Sequence, residues 1–330
     1  MFFTFLISGT LIAISSISWL GMWMGLEINL LSIIPLMSSS KNMYSSESSM
    51  KYFITQTFAS MILLFSVIMI LILNEFIPLK FNLNLIYMMN TALLIKMGAA
   101  PFHFWFPEVM EGLSWMNCLI MLTWQKIAPM ILLLNLPMNM NFIFMIILFS
   151  LSISTFMSLN QTSLRKILTY SSINHISWML SAMMISFSIW LIYFLIYSLI
   201  NFNIILIFNL TNSFNLNQLI NSLNWNKLMK MFFLLNFLSL GGLPPFIGFF
   251  PKWLLVNWLI INKFQFLSFI LIVFTLIMLF IYLQVIFSTL ILNFEESKIK
   301  NFKYSNFSIM FMNTVILMSL IFCTLIFNLM

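Results

Sequence analysis

The chain reads as a succession of apolar runs, each about 20 residues long. Short segments between them collect the Asn, Ser, Lys, Gly and Pro residues. A run of that length, wound as an α-helix, spans the hydrocarbon core of a bilayer. The apolar positions do not alternate in ten-residue segments, as the strands of a membrane barrel would require. With turn residues and charges taken as span ends, the pattern predicts about eleven helices. They fall at roughly 2–20, 22–38, 50–74, 82–109, 114–135, 140–160, 167–187, 190–212, 228–261, 265–293 and 306–328. The fourth and ninth are too long for simple crossings and contain Gly/Pro clusters, so each is predicted to be broken. Between the eighth and ninth, "NSFNLNQLINSLNWNKLMK" sets Leu216, Leu219, Ile220 and Leu223 at helical spacing among Asn residues. That segment predicts an amphipathic helix at the membrane interface.

Composition turns this pattern into a class. With 62% hydrophobic and 6% charged residues, a 330-residue chain cannot cover a water-facing surface, so an all-α polytopic membrane protein is expected. The net charge of +7 does not point to nucleic acid, because the basic residues are scattered singly or in pairs. They act instead as topology signals. Lys41, Lys51, Arg165, Lys166, Lys227, Lys230, Lys298, Lys300 and Lys303 fall in alternate loops on the side of the N-terminus, and only Lys80 and Lys263 fall opposite. The positive-inside rule then places the N-terminus in the cytoplasm or matrix, and an odd number of spans places the C-terminus on the other side. The opening "MFFTFLISGTLIAISSISWLG" lacks a basic n-region and a cleavage site, so it is expected to be a first transmembrane helix. A single arginine, no aspartate, 29 Met and 38 Phe match the codon bias of an AT-rich organellar genome.

Candidate chemistry begins with a repeat. "GAAPFHFWFP" at Gly98 and "GLPPFIGFFP" at Gly242 share G-x-x-P-F-x-x-x-F-P. Gly98, Pro101, Phe102, Phe106 and Pro107 recur 144 residues later as Gly242, Pro245, Phe246, Phe250 and Pro251. That offset is about five helices, and an odd number of spans per copy inverts the second copy in the membrane. Inverted repeats with interrupted helices are an architecture of ion and solute translocators.

Inside the predicted spans stand four ionisable residues: Glu27, Lys96, Lys126 and Lys252. Each costs about 2.5–3.5 kcal/mol to insert at a helix centre. A lysine that exchanges its proton near neutrality differs from one in water by about 4.6 kcal/mol, a comparable amount. Such residues can therefore serve as proton-exchange points. Lys96 precedes its Gly/Pro cluster and Lys252 follows its own. Lys126, in "LTWQKIAPM", is expected about halfway along its helix, beside Gln125 and loosened by Pro129. Glu27 is the natural counter-charge for a lysine, although it could also snorkel to the interface or form a structural ion pair. His175 reads equally as a hydrogen-bonded structural residue or a relay member. His103 is expected near a helix end, and Glu108 and Glu111 in a solvated loop. Cys118 and Cys323 share no motif, which argues against a disulfide, a zinc site or an Fe–S cluster. No nucleotide-binding loop, nucleophile triad or metal cluster is present, so no cofactor is expected in this chain.

At "WMGLEINLLSIIPLM", "KMGAAPFHFWFPEV", "LTWQKIAPM", "LRKILTYSSINHISWM", "NWNKL" and "GGLPPFIGFFPKW" the chain resembles the chain 2 family of NADH–ubiquinone oxidoreductase. These are antiporter-like subunits of respiratory complex I. The resemblance runs from about residue 19 to 261 with order and spacing preserved. It implies two inverted five-helix bundles, each with a broken helix, plus a terminal helix. The corresponding boundaries here are 1–137, 138–293 and 294–330. It implies that Glu27 and Lys96 match the family's glutamate–lysine pair, Lys126 its central lysine, Lys252 the lysine of its second broken helix, and His175 a histidine between the lysines. It also implies proton translocation, with flavin, Fe–S clusters and quinone carried by other subunits. The expected partners are other membrane-arm subunits of complex I, the lipid bilayer, protons and water. The expected location is the mitochondrial inner membrane, with the N-terminus in the matrix and the C-terminus in the intermembrane space. The composition and brevity resemble an arthropod member. Two other readings stand beside it: a stand-alone cation/proton antiporter, and a non-pumping structural membrane subunit.

Overall fold

A computed structural model of the chain describes residues 1–39, 42–76, 83–137, 139–223 and 227–291. The predicted terminal helix, Cys323, Lys41, Lys80, Lys298, Lys300 and Lys303 lie outside them. Among the described residues the elements are helices, joined by one isolated antiparallel bridge between Ser163 and Asn215. The chain divides into two compact units, Met1–Phe149 and Ser150–Met330.

The first unit holds α1 (Phe2–Ser15), α2 (Trp19–Met37), α3 (Met43–Phe76), α4 (Leu83–Met97), α5 (Trp105–Gly112), α6 (Trp115–Leu122) and α7 (Trp124–Leu134). The start of α8 (Met140–Ser158) also belongs to it. α1 runs closely along α2, so closely that a Cβ at Gly25 would strike the Ala13 backbone. α3 packs on α2, α4 and α5, and α7 packs on α4. The second unit holds the end of α8, α9 (Leu164–Met183), α10 (Phe187–Thr211), α11 (Leu216–Leu223), α12 (Lys227–Gly241), α13 (Phe249–Ile261) and α14 (Gln265–Ile291). α9 contacts α10, α13 and α14, while α12 packs on α10 and α14.

Six stretches among the described residues are long and apolar enough to cross a bilayer alone: Trp19–Met37, Met43–Ile72, Trp115–Leu134, Met140–Ser158, Phe187–Thr211 and Gln265–Leu290. Phe58, Met61 and Phe65 on α3, and Phe266, Phe269, Leu276 and Phe280 on α14, expose large apolar side chains. That pattern suits lipid and would be costly against water. α9 is the opposite case, buried almost along its whole length yet carrying Thr169, Ser171, Ser172, Asn174, His175, Ser177 and Ser181. The hydroxyls of Ser171, Ser172 and Ser181 donate to the carbonyls of Leu168, Thr169 and Trp178. Such back-bonding lets these serine hydroxyls be buried without being orphaned.

Both overlong runs are interrupted as expected, α4 from α5 and α12 from α13. The expected amphipathic segment is α11, which buries Leu219, Ile220 and Leu223. Three expectations are corrected. α3 begins at Met43, not near residue 50, so Lys51 lies in a helix rather than a loop. Its serine-rich opening is helical, and Ser45, Ser46, Ser48 and Ser49 each donate to the carbonyl three residues back, which satisfies their hydroxyls inside the helix. Glu108 and Glu111 lie in α5, and Glu108 pairs with Lys51 at 3.1 Å while Lys51 also meets Glu47 at 3.0 Å. The fifth predicted helix is interrupted at Thr123, whose φ of −117° departs from the usual helical value. Pro129 has no N–H to offer the carbonyl one turn back, and α7 restarts with the Lys126 amide on the Thr123 carbonyl. Lys126 therefore stands in the first turn of α7, not mid-helix.

Candidate functional site

Each break opens with the same cap. α4 ends where Gly98 takes φ +73°, its amide on the Ile95 carbonyl and the Ala99 amide on that of Leu94. α12 ends where Gly242 takes φ +78°, its amide on the Ser239 carbonyl and the Leu243 amide on that of Leu238. This paired bonding around a left-handed residue is the Schellman end of a helix, and glycine adopts it without Cβ strain. The next residues turn sharply and restart as α5 and α13.

In the first unit, Lys96 sits in the last turn of α4, where the helix dipole favours a cation. It is 7% exposed and lines a cavity of about 20 Å³ with Asn29, Tyr52, Gln56, Gln125 and Pro129. A cavity needs about 10–15 Å³ to hold one water, so this one has room for it. Gln56 is buried and its Nε2 has no hydrogen-bond partner among the described residues. Across the cavity wall, Gln125 Nε2 donates to Asn29 Oδ1 at 2.8 Å, joining α7 to α2. Glu27, on α2, is half-buried, and its Oε1 accepts no hydrogen bond from the described residues. Its charge acts on Lys96, although the two do not close to the 4.0 Å of an ion pair. Lys126 is buried at 2% exposure, its ammonium 5.6 Å from the centre of the Phe106 ring. A Cβ at Gly98 would lie 3.3 Å from that same phenylalanine, so the first break is built against the ring that faces Lys126. The carbonyl of Ile95 is met by the Trp105 indole N–H at 3.1 Å. His103, expected at a helix end, lies in the break, buried, with Nδ1 3.3 Å from the Pro101 carbonyl oxygen.

In the second unit, Lys252 follows the break in the first turn of α13. Its ammonium donates to the carbonyls of Leu240 at 3.2 Å and Gly241 at 3.0 Å, the open C-terminal end of α12. Hydrogen bonds from a charged donor contribute about 1.5–3 kcal/mol each, so the cap is substantial. The same ammonium lies 5.8 Å from the centre of the Trp178 ring. One turn before Trp178 on α9, His175 Nδ1 lies 2.8 Å from the Tyr193 hydroxyl of α10. His175, Tyr193, Tyr197, Ser239, Leu240, Gly248 and Pro251 enclose a second cavity of about 10 Å³.

The predicted site residues thus fall into two groups, Glu27, Lys96 and Lys126 in one unit and His175 and Lys252 in the other. Of the residues that surround them, Gln125 and Pro129 stand out in the sequence, whereas Asn29, Gln56, Tyr193 and Tyr197 do not. Asn29 and Gln56 are amides inside apolar spans, a signal that could have flagged them. Tyr193 and Tyr197 lie one turn apart within a span, away from the interfacial belt where tyrosines usually gather. Among the described residues, no group of three or more His, Cys, Asp or Glu stands close enough to hold a metal ion.

Comparison with known proteins bears on this geometry. Residues 16–279 match the family described as NADH:quinone oxidoreductase/Mrp antiporter, transmembrane. The chain is similar to NADH-ubiquinone oxidoreductase chain 2 of Anopheles gambiae, 55% identical over 259 residues that cover 78% of this chain and 75% of that protein. To the protein of the same name from Locusta migratoria it is 47% identical over 258 residues, covering 78% and 75%. Its fold is similar to a chain of respiratory complex I from Thermus thermophilus, with a TM-score of 0.85 at 21% identity, over 96% of this chain and 76% of that one.

Proposed function

The chain belongs to the NADH:quinone oxidoreductase/Mrp antiporter family of membrane subunits, and on that premise we propose that it translocates protons through its buried lysines. It is an antiporter-like subunit of respiratory complex I in the mitochondrial inner membrane, and its partners are other subunits of that complex. Electron transfer from NADH to ubiquinone takes place elsewhere in the assembly and shifts charge along the membrane arm. Glu27 responds by moving nearer to Lys96 or further from it, which changes how firmly Lys96 holds its proton. The proton passes by way of Lys126 and His175 to Lys252 and leaves on the opposite side. In this reading the chain has about eleven spans in two inverted halves, at 1–137 and 138–293, followed by a terminal helix at 294–330. Its N-terminus lies in the matrix and its C-terminus in the intermembrane space, as the placement of its basic residues favours. Flavin, Fe–S clusters and quinone belong to other subunits.

One observation carries the proposal: two lysines, Lys96 and Lys126, are buried among the apolar helices of the first unit, Lys96 on the wall of a polar cavity with room for water. Burying two cations in apolar surroundings costs more than a structural cross-link returns, which favours groups that can give up a proton. Replacement of Lys126 or Lys252 by Met in the assembled complex should lower the number of protons moved per NADH oxidised. An unchanged proton yield in both variants would overturn the relay.

A further inference from the structure

We propose that Tyr193 is a positioning residue for the proton relay, a hydroxyl partner that holds His175 in both of its charge states. The proposal rests on the reading of His175 as a proton carrier.

The geometry is a connected stack. Tyr193 is 2% exposed, and its hydroxyl lies 2.8 Å from His175 Nδ1. Its ring lies nearly parallel to that of Trp178, with centroids 6.3 Å apart and planes 14° apart. Trp178 in turn lies beneath the Lys252 ammonium. One side chain therefore touches His175 through its hydroxyl and the ring facing Lys252 through its own ring. The cavity beside them is walled by Leu240, Gly248 and Pro251, so it opens onto the second break, where Lys252 holds the end of α12.

The chemistry favours a phenol at this point. Neutral His175 with its hydrogen on Nε2 presents a lone pair at Nδ1, to which the phenol O–H donates. Protonated His175 carries hydrogen on both nitrogens, and Nδ1–H then donates to the phenol oxygen. The switch needs only rotation of the hydroxyl hydrogen about the C–O bond. One proton enters the imidazole and one leaves, and Tyr193 keeps its own. A backbone carbonyl could only accept and an ammonium could only donate, so either would favour one state of the ring. Other titratable groups around His175 are Tyr197 on α10, with ring centroids 4.9 Å apart, Tyr282 on α14 near both tyrosines, and Lys252 on α13 beyond Trp178. Tyr193 supplies the hydroxyl at hydrogen-bond distance from Nδ1, whereas Tyr197 meets the imidazole through its ring.

Tyr193→Phe keeps the ring on Trp178 and removes only the hydroxyl. In assembled complex it should lower the proton yield per NADH and alter the pH profile of that yield, while NADH oxidation continues. In a His175→Gln background the same substitution should add nothing. If Tyr193→Phe keeps the full yield and profile while His175→Gln lowers the yield, the role of Tyr193 is overturned and the relay stands. If His175→Gln itself leaves the yield intact, the relay reading of His175 fails and takes this inference with it. Should the variant not assemble, density maps of the unsubstituted complex at two pH values decide the matter. His175 should remain within hydrogen-bond reach of Tyr193 at both, and a ring that swings away at either overturns the proposal.

Discussion

The two helix breaks share a motif and a cap, yet they treat their open carbonyls differently. At the first, a neutral indole N–H from Trp105 serves the end of α4. At the second, the Lys252 ammonium serves the end of α12. The neutral cap leaves Lys96 out of the break's own hydrogen bonding, and it lines a polar cavity instead. The charged cap commits Lys252 to the backbone, so gain or loss of its proton acts directly on how α12 and α13 are joined. Position 108, which the repeat aligns with Lys252, holds Glu108, half-exposed and paired with Lys51. Similar local backbone therefore leaves a lysine beside a polar cavity in one place and ties a lysine to the open end of a helix in the other.

Glycine replacement should separate the two breaks most sharply. Gly98→Ala and Gly242→Ala both force a Cβ into the left-handed region, at a cost of about 1–2 kcal/mol. At Gly242 the new carbon would also lie 2.8 Å from Lys252 Cδ and Nζ, whereas at Gly98 its nearest neighbours are Phe106 side-chain atoms at 3.3 Å. Displacing the ammonium adds the loss of hydrogen bonds contributing about 1.5–3 kcal/mol each. Thermal denaturation of assembled complex should show the larger loss for Gly242→Ala, accompanied by a fall in proton yield. Equal losses would mean that Lys252 does not hold its break.

A smaller effect is expected at the wall of the first cavity. Asn29→Leu or Gln125→Leu leaves the other amide buried without its partner, a penalty of about 1–3 kcal/mol. The exchanged pair, Asn29→Gln with Gln125→Asn, restores an amide on each side. It should recover both melting temperature and proton yield relative to either leucine variant. If the exchange does no better than the single variants, the bond between α2 and α7 is incidental to the site.

The smallest effect belongs to Glu108→Gln. Lys51 retains Glu47, and both ends of the lost pair are largely exposed, where ion pairs are screened and weak. Neither stability nor proton yield should change measurably. A clear drop in yield would give the first break a charged function that its geometry does not suggest.

Much of this was legible in the chain itself. The length of the apolar runs announces helices, and "GAAPFHFWFP" and "GLPPFIGFFP" announce interruptions, because glycine and proline act on the backbone within a few residues. The serine-rich start of α3 misleads, since serine usually marks a helix end but here bonds back into its own helix. The split at Thr123 was legible only in part, because Pro129 predicts a loosened helix without saying where it parts. Lys96, Lys126 and Lys252 stand out by type and position, whereas Tyr193, Asn29 and Trp105 are ordinary residues of a membrane span until their partners are known.

By itself the sequence determined the class of the protein, the sites of its two breaks and which ionisable groups are carried inside spans. Those properties follow from local composition, the energetic cost of inserting each residue and the backbone needs of Gly98 and Gly242. Only the tertiary structure decided what each group faces: two carbonyls for Lys252, a polar cavity for Lys96, an aromatic ring for Lys126 and a phenol for His175. The physical reason is distance along the chain. The Asn29–Gln125 bond joins residues 96 apart and the His175–Tyr193 bond residues 18 apart, on helices whose sequences carry no record of which neighbour they will meet.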